Sequence, residues 1–192
     1  TKLMSIIDKP TDYFNTLLYG GNDGTGRSIT GVGFQPDFVW VKDRSNAFDH
    51  GLFDAVRGAT KAINSNDTST EDTISNSLTA FGSDGFTAGA NAIINGNNNN
   101  YASWNWKANG TGSANTTAGM SIVKYTGNGV TGATIGHGLG KIPTMMIVKN
   151  LSRVSEWTVY HKDIGNTHYL ELNSTVAKQD YDIWHDTTPT AN

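Results

Sequence analysis

Along "DFVWVKD" the side chains alternate. Phe38 and Trp40 fall on one side, Val39 and Val41 on the other, and Lys42 ends the run in solvent. A period of two over this length predicts a β-strand buried on at least one face. The same pattern predicts strands at "NTLLYG" (Asn15 to Gly20) and "MSIVKY" (Met120 to Tyr125), and shorter ones at Thr158 to His161 and Thr167 to Asn173. "YASWNWK" places Ala102, Trp104 and Trp106 on one face and Tyr101, Ser103, Asn105 and Lys107 on the other. "SLTAFGSDGFTAG" reads as two strands joined by a turn at Ser83, Asp84 and Gly85, with Phe81 and Phe86 flanking it. No segment sustains a helical period over three turns. Short strands separated by Gly/Asn turns predict an all-β chain folded as an antiparallel sandwich or jelly roll. Phe38, Trp40, Val41, Trp104 and Trp106 are assigned to its core.

The pattern is written twice. Shifting the chain by 107 residues aligns residues 29–68 with 136–175 without a gap, and ten of the 40 positions are identical. Ordinary composition gives roughly two or three. The identities include Gly31 with Gly138, Gly33 with Gly140, Pro36 with Pro143, Lys42 with Lys149 and Gly58 with Gly165. Glycine and proline at fixed offsets mark turns that need positive or preset φ. Met145 and Ile147 take the positions of Phe38 and Trp40 and are assigned to a matching core. A period this long is the length of a small domain, not of a solenoid unit.

The expected organisation is therefore an N-terminal arm over 1–11, a first sandwich over 12–107, a Gly/Asn/Thr-rich linker over 108–118 and a second sandwich over 119–192. By the same offset, the counterparts of residues 86–107, including the Trp-rich strand, fall beyond Asn192. The second copy is thus expected to be incomplete, and the sequence to be a fragment of a longer chain.

Composition narrows the functional classes. The chain has 192 residues, 36% of them hydrophobic, and a net charge of -3. Its 14 basic residues are scattered, without the basic stripe a phosphate backbone requires, so a nucleic-acid partner is not expected. There is no cysteine, which removes disulfides, thiolate metal sites and a thiol nucleophile. No apolar run reaches the ~18 residues that cross a bilayer, so membrane insertion is not expected.

Candidate chemistry is sparse. His161, His168 and His185 lie near Asp163, Asp180, Asp182 and Asp186, but no pair has the short spacing of a zinc motif. "GGNDGTG" and "SNDTSTED" offer oxygens for calcium without the spacing of a calcium loop, so no cofactor is assigned. Only three glutamates occur, and neither a nucleophile elbow nor a phosphate cradle is recognisable, so no enzyme is expected. The amide run Asn97, Asn98, Asn99, Asn100 beside Tyr101 is the candidate glycan contact, since amides suit hydroxyls and an aromatic ring suits a sugar face.

Taken as phrases, "GFQPDFVWVKDRS", "LFDAVRGATKAINSN", "SLTAFGSDGF" and "YASWNWKANG", followed by "GHGLGKIPTMMIVKN", "WTVYHKDIGN" and "YLELN", resemble a repeat domain of structural and tail-fibre proteins of marine tailed phages, including cyanophages and pelagiphages. The resemblance covers the chain from Tyr13 onward. It implies a lectin-like β-sandwich in a virion protein assembled in the host cytoplasm. The expected role is a tail-fibre or appendage subunit, a homotrimer contacting other virion proteins and host-surface glycans. A carbohydrate-binding adhesion module and a capsid-associated fibre or decoration protein are the alternatives. The resemblance supplies no catalytic or sugar-binding residues.

Overall fold

A computed structural model describes residues 7–108, 110 and 114–192. Parts of the expected arm (1–6) and linker (109, 111–113) lie outside the described residues. After a single 3-10 turn at Pro10–Asp12, nine strands follow: β1 (Phe14–Gly20), β2 (Arg27–Thr30), β3 (Phe38–Asp43), β4 (Gly51–Asp54), β5 (Lys61–Asn64), β6 (Asp72–Thr73), β7 (Leu78–Gly82), β8 (Gly85–Ala88) and β9 (Asn100–Trp106). One helical turn, α1 (Ala92–Asn95), precedes β9 and is capped by the Asn91 side chain. Six strands form an antiparallel sheet in the order β1-β9-β3-β4-β5-β6, and three form a second in the order β2-β8-β7.

The two sheets face each other across one apolar cluster. Val39, Val41, Phe53, Ala62 and Tyr101 of the larger sheet meet Ile29, Phe86, Ala88 and Leu78 of the smaller, with Ile94 of α1 closing one end. Val41 thus lies in the core, as its alternation implies. Phe38, Trp40, Trp104 and Trp106 do not lie between the sheets. They are half-buried on the outer face of the six-stranded sheet, where the register stacks Phe14 on Trp106 on Phe38 and Thr16 on Trp104 on Trp40. The reason is the inward turn of the other face of β9. Tyr101, Ser103 and Asn105 are fully buried, and the Asn105 amide donates to Asn15 O at 3.2 Å and Ser103 Oγ at 3.1 Å. These bonds offset part of the cost of burying polar groups on this face.

A third sheet, in the order β10-β11-β12-β13, is formed by β10 (Met145–Val148), β11 (Thr158–His161), β12 (His168–Glu171) and β13 (Gln179–Asp180). Its register is that of β3–β6 with every number raised by 107. Val39 opposite Phe53 becomes Met146 opposite Tyr160, Leu52 opposite Ile63 becomes Val159 opposite Leu170, and Ala62 opposite Asp72 becomes Tyr169 opposite Gln179.

The turns match at the level of single hydrogen bonds. Asp43 Oδ1 accepts from the amides of Ser45 and Asn46, and Asn150 Oδ1 from those of Ser152 and Arg153. Asn66 Oδ1 accepts from His50 N while its amide reaches Asp49, and Asn173 does the same for Trp157 N and Glu156. The glycine pairs at 31/138, 33/140 and 58/165 all have positive φ.

Beyond these four strands the correspondence stops. Met120 to Tyr125, expected as a strand, forms none apart from a single bridge between Asn115 and Met120. Its counterpart β1 is held by β9, whereas among the described residues no strand lies beside Met120 to Tyr125. A strand without a neighbour leaves its backbone groups to water. For the same reason the matching core expected at Met145 and Ile147 is absent. These side chains are 49% and 43% exposed on the edge strand β10.

The third sheet packs on the outer face of the first. Trp157, Leu151 and Leu172 meet Leu52, Ile63, Phe38 and Trp40. Backbone bonds run from Glu71 N to Leu151 O and from Ser155 N to Thr68 O. The Lys149 ammonium sits among the carbonyls of Thr68, Asn150 and Ser155 at 3.0–3.1 Å. Burial lowers its pKa, against the opposing pull of Asp67 and Glu156.

Candidate functional site

The amide-rich loop between α1 and β9 is positioned by the chain around it. Asn95, at the end of α1, is fully buried, and its amide donates to Gly24 O and Gly89 O, each at 3.0 Å. Its Oδ1 accepts from Asn22 N at 3.1 Å and from Arg27 at 3.2 Å. One side chain thus ties together the Gly20–Gly26 loop, the end of β8 and α1.

Of the five residues expected to contact a glycan, two are committed inward. Tyr101 is fully buried, donates its hydroxyl to Ala92 O at 2.6 Å, accepts from Gly96 N at 2.7 Å and stacks on Tyr19 at 5.2 Å. Asn99 donates to Asp43 Oδ2 at 2.8 Å and accepts from Gly21 N through its carbonyl. Tyr101 is therefore a core residue and not a sugar platform, because the strand phase that exposes Asn100 turns Tyr101 inward. Asn97, Asn98 and Asn100 are exposed, Asn98 with a φ of 59°.

Beside Asn100 lies a shallow cleft of about 190 Å³ lined by Leu18, Tyr19, Gly20, Arg44, Asn100 and Tyr101. Asn100 is fixed there by Ser45 Oγ, which accepts from its backbone N at 2.9 Å, and by its own carbonyl, which accepts from Arg44 N at 2.7 Å. The cleft offers a guanidinium, an amide and the exposed Leu18 side chain to a ligand. Nothing in "NNNNY" alone points to Arg44, which the fold brings in from the end of β3.

The histidines do not converge. His161 lies 3.6 Å from Asp163, His168 3.9 Å from Asp180 and His185 3.7 Å from Asp182, as three separate pairs. Among the described residues, no group of three or more His, Asp or Glu side chains is placed to hold a metal. Sequence reading missed a buried ionic cluster that is structural. Arg57 bonds Asp54, lies 3.3 Å from Glu71 and donates to Leu52 O at 3.0 Å and Lys61 O at 3.2 Å. The Asp54/Arg57 spacing of a turn is visible in sequence, but Glu71 is not.

The family described as a domain of unknown function (DUF7483) matches residues 9–192. The chain belongs to this family. The match runs through all three sheets, so both copies of the repeated register fall within it. No curated protein and no solved structure matches the chain. Among the described residues, no helix is long and apolar enough to cross a membrane.

Proposed function

We propose that this chain is a structural component of a phage virion, a tail-fibre or appendage subunit built from tandem copies of one lectin-like, jelly-roll β-sandwich domain. The observation that carries the reading is the repetition of strand order, register and turn hydrogen bonds at an offset of 107 residues. Serial reuse of one module, with scattered charge and a shallow surface cleft, suits a spacer and assembly element better than a catalyst. Its partners are copies of itself, as a homotrimer, and other virion proteins. Immunogold labelling of purified particles with antibody against the chain tests the location. Label on the tail or its appendages is expected. Label on the capsid shell selects the decoration-protein alternative, and particles that never label overturn a virion role.

Attachment to host-surface glycans is a second reading, favoured by Arg44 and Asn100 around one cleft. Guanidinium and amide donors suit hydroxyl and carboxylate groups of an acidic sugar. A glycan array with the native chain and an Arg44→Ala variant tests it. Binding that is lost in the variant is expected, and a chain that binds no glycan removes the reading.

A further inference from the structure

Asn100, Ala102, Trp104 and Trp106 follow one another along the outer face of β9. The third sheet covers one side of this face, at Phe38 and Trp40 of β3. Toward β1 the face is open to solvent. There Leu18 is 71% exposed and Phe14 37%, while Trp104 and Trp106 are half-buried. The Arg44 cleft sits at the Asn100 end. At ~3.3 Å per residue, the run from Asn100 to Trp106 is about 20 Å long, several sugar rings rather than one. The cleft is therefore one end of a longer strip.

The chemistry changes along the strip. Arg44 lies beside Asn100, its amide donating to Asn100 O at 2.7 Å. One step on, Ala102 is 9% exposed between its register partners Leu18 and Lys42, so a small side chain floors a furrow. The far end carries two indoles whose N–H groups have no partner among the described residues. Both charged side chains on the strip, Arg44 and Lys42, are cationic, and Asp54 opposite Phe38 is neutralised by Arg57. A packed apolar cover would leave the guanidinium and the indole N–H groups without partners, which is costly. A hydrated, negatively charged chain with alternating apolar and hydroxyl surface satisfies all of them.

We infer that the ligand of the Arg44 cleft is an extended polyuronate that runs along β9 onto Trp104 and Trp106; this rests on the glycan reading above. Arg44 takes a carboxylate through paired N–H groups, and Asn100 and the indole N–H groups take hydroxyls. The indole rings lie against the C–H faces of the sugars. A single uronic acid reaches only the Arg44 end.

The test uses the native full chain with polygalacturonate, alginate and hyaluronate, and with the single uronic acids they contain. Mild indole oxidation is followed by peptide mass spectrometry. At least one polymer is expected to slow oxidation of Trp104 and Trp106 by at least about tenfold and leave Trp184, on the second copy, unchanged. The single acids are expected to protect neither. Trp104→Ala is expected to weaken polymer binding at least about tenfold and to leave single-acid binding unchanged, whereas Arg44→Ala weakens both. If neither polymers nor single acids bind, the glycan reading fails and this inference with it. If they bind without protecting Trp104 and Trp106, or bind Trp104→Ala as well as the native chain, this inference alone fails. Equal protection of Trp184 also overturns it. Without ligand, oxidation of Trp104 and Trp106 as slow as that of the 4%-exposed Trp157 shows that protein covers the strip, and overturns it too. If Trp104→Ala does not fold, the protection result on the native chain decides.

Discussion

The indole Nε1 of Trp157 donates to the carbonyl of Asn64 at 2.8 Å, joining the third sheet to the first. The ring is 4% exposed and packs against Leu52 and Ile63, with Phe38, Trp40 and Leu151 around them. Its counterpart 107 residues earlier is His50, so this contact belongs to the second copy alone. Trp157→Ala is expected to cost about 3–5 kcal/mol of stability, the usual range for deleting a buried tryptophan. Trp157→Phe keeps most of the packing and loses the hydrogen bond, for about 1 kcal/mol beyond the change in shape. Urea denaturation checks both. An Ala variant within about 1 kcal/mol of the native chain would show that the sheets do not depend on each other.

Arg57 is nearly sealed from solvent, as is Asp54, and Glu71 is only slightly less so. Removing one partner of a buried ion cluster leaves an uncompensated charge. Arg57→Met is therefore expected to cost about 3–5 kcal/mol, whereas replacing Arg57, Asp54 and Glu71 together by apolar residues costs far less. The two urea midpoints should differ in that order. A triple variant less stable than Arg57→Met would mean the cluster contributes net stability of its own.

Strand positions were legible wherever alternation met a partner. β1, β3, β9 and the β7–β8 hairpin all lie where the period of two puts them. Alternation does not say which face turns inward when both carry large side chains. On β9 the indoles look like the core, yet the buried face is Tyr101, Ser103 and Asn105, because their hydrogen-bond partners come from β1 and α1. Met120 to Tyr125 has the right pattern but, among the described residues, no strand beside it, so pattern alone misleads there. The turns were legible for a different reason. Gly31, Gly58 and their counterparts are local requirements of the backbone and survive any change of packing. The cleft at Arg44 and the Arg57 cluster were not legible, since each joins residues from separate strands.

Acid should destabilise the fold through His50. Burial, and next the Lys42 ammonium, lower its pKa from the ordinary 6.5, with Asp49 opposing them. The folded chain thus holds this proton more weakly than the unfolded chain. Above the ordinary value both states are neutral and nothing is lost. As pH falls through it, the unfolded state takes up the proton first and stability declines. The urea midpoint should fall between about pH 7.5 and about pH 5, and fall less in His50→Gln. An identical decline in the variant would assign the acid sensitivity elsewhere.

Gly58 and Gly165 occupy the same turn of the two copies, with φ of 98° and 80°, and a Cβ added to either meets nothing within 4 Å. Substitution by alanine at these sites therefore isolates backbone strain from steric contact. Each is expected to cost about 1–2 kcal/mol, since L-residues other than glycine pay roughly that in the left-handed region. The costs should agree between the copies, because the backbone they act on is the same. Gly85 differs. Its φ is 147°, and an added Cβ would lie 2.0 Å from Ile29 O in the neighbouring strand β2. No side chain can yield there, so β2 must move away from β8. Gly85→Ala should then cost clearly more than Gly58→Ala and expose β2 amides to exchange. Thermal denaturation ranks the three, and a Gly58→Ala chain as stable as the native one would show that this turn relaxes out of its positive φ.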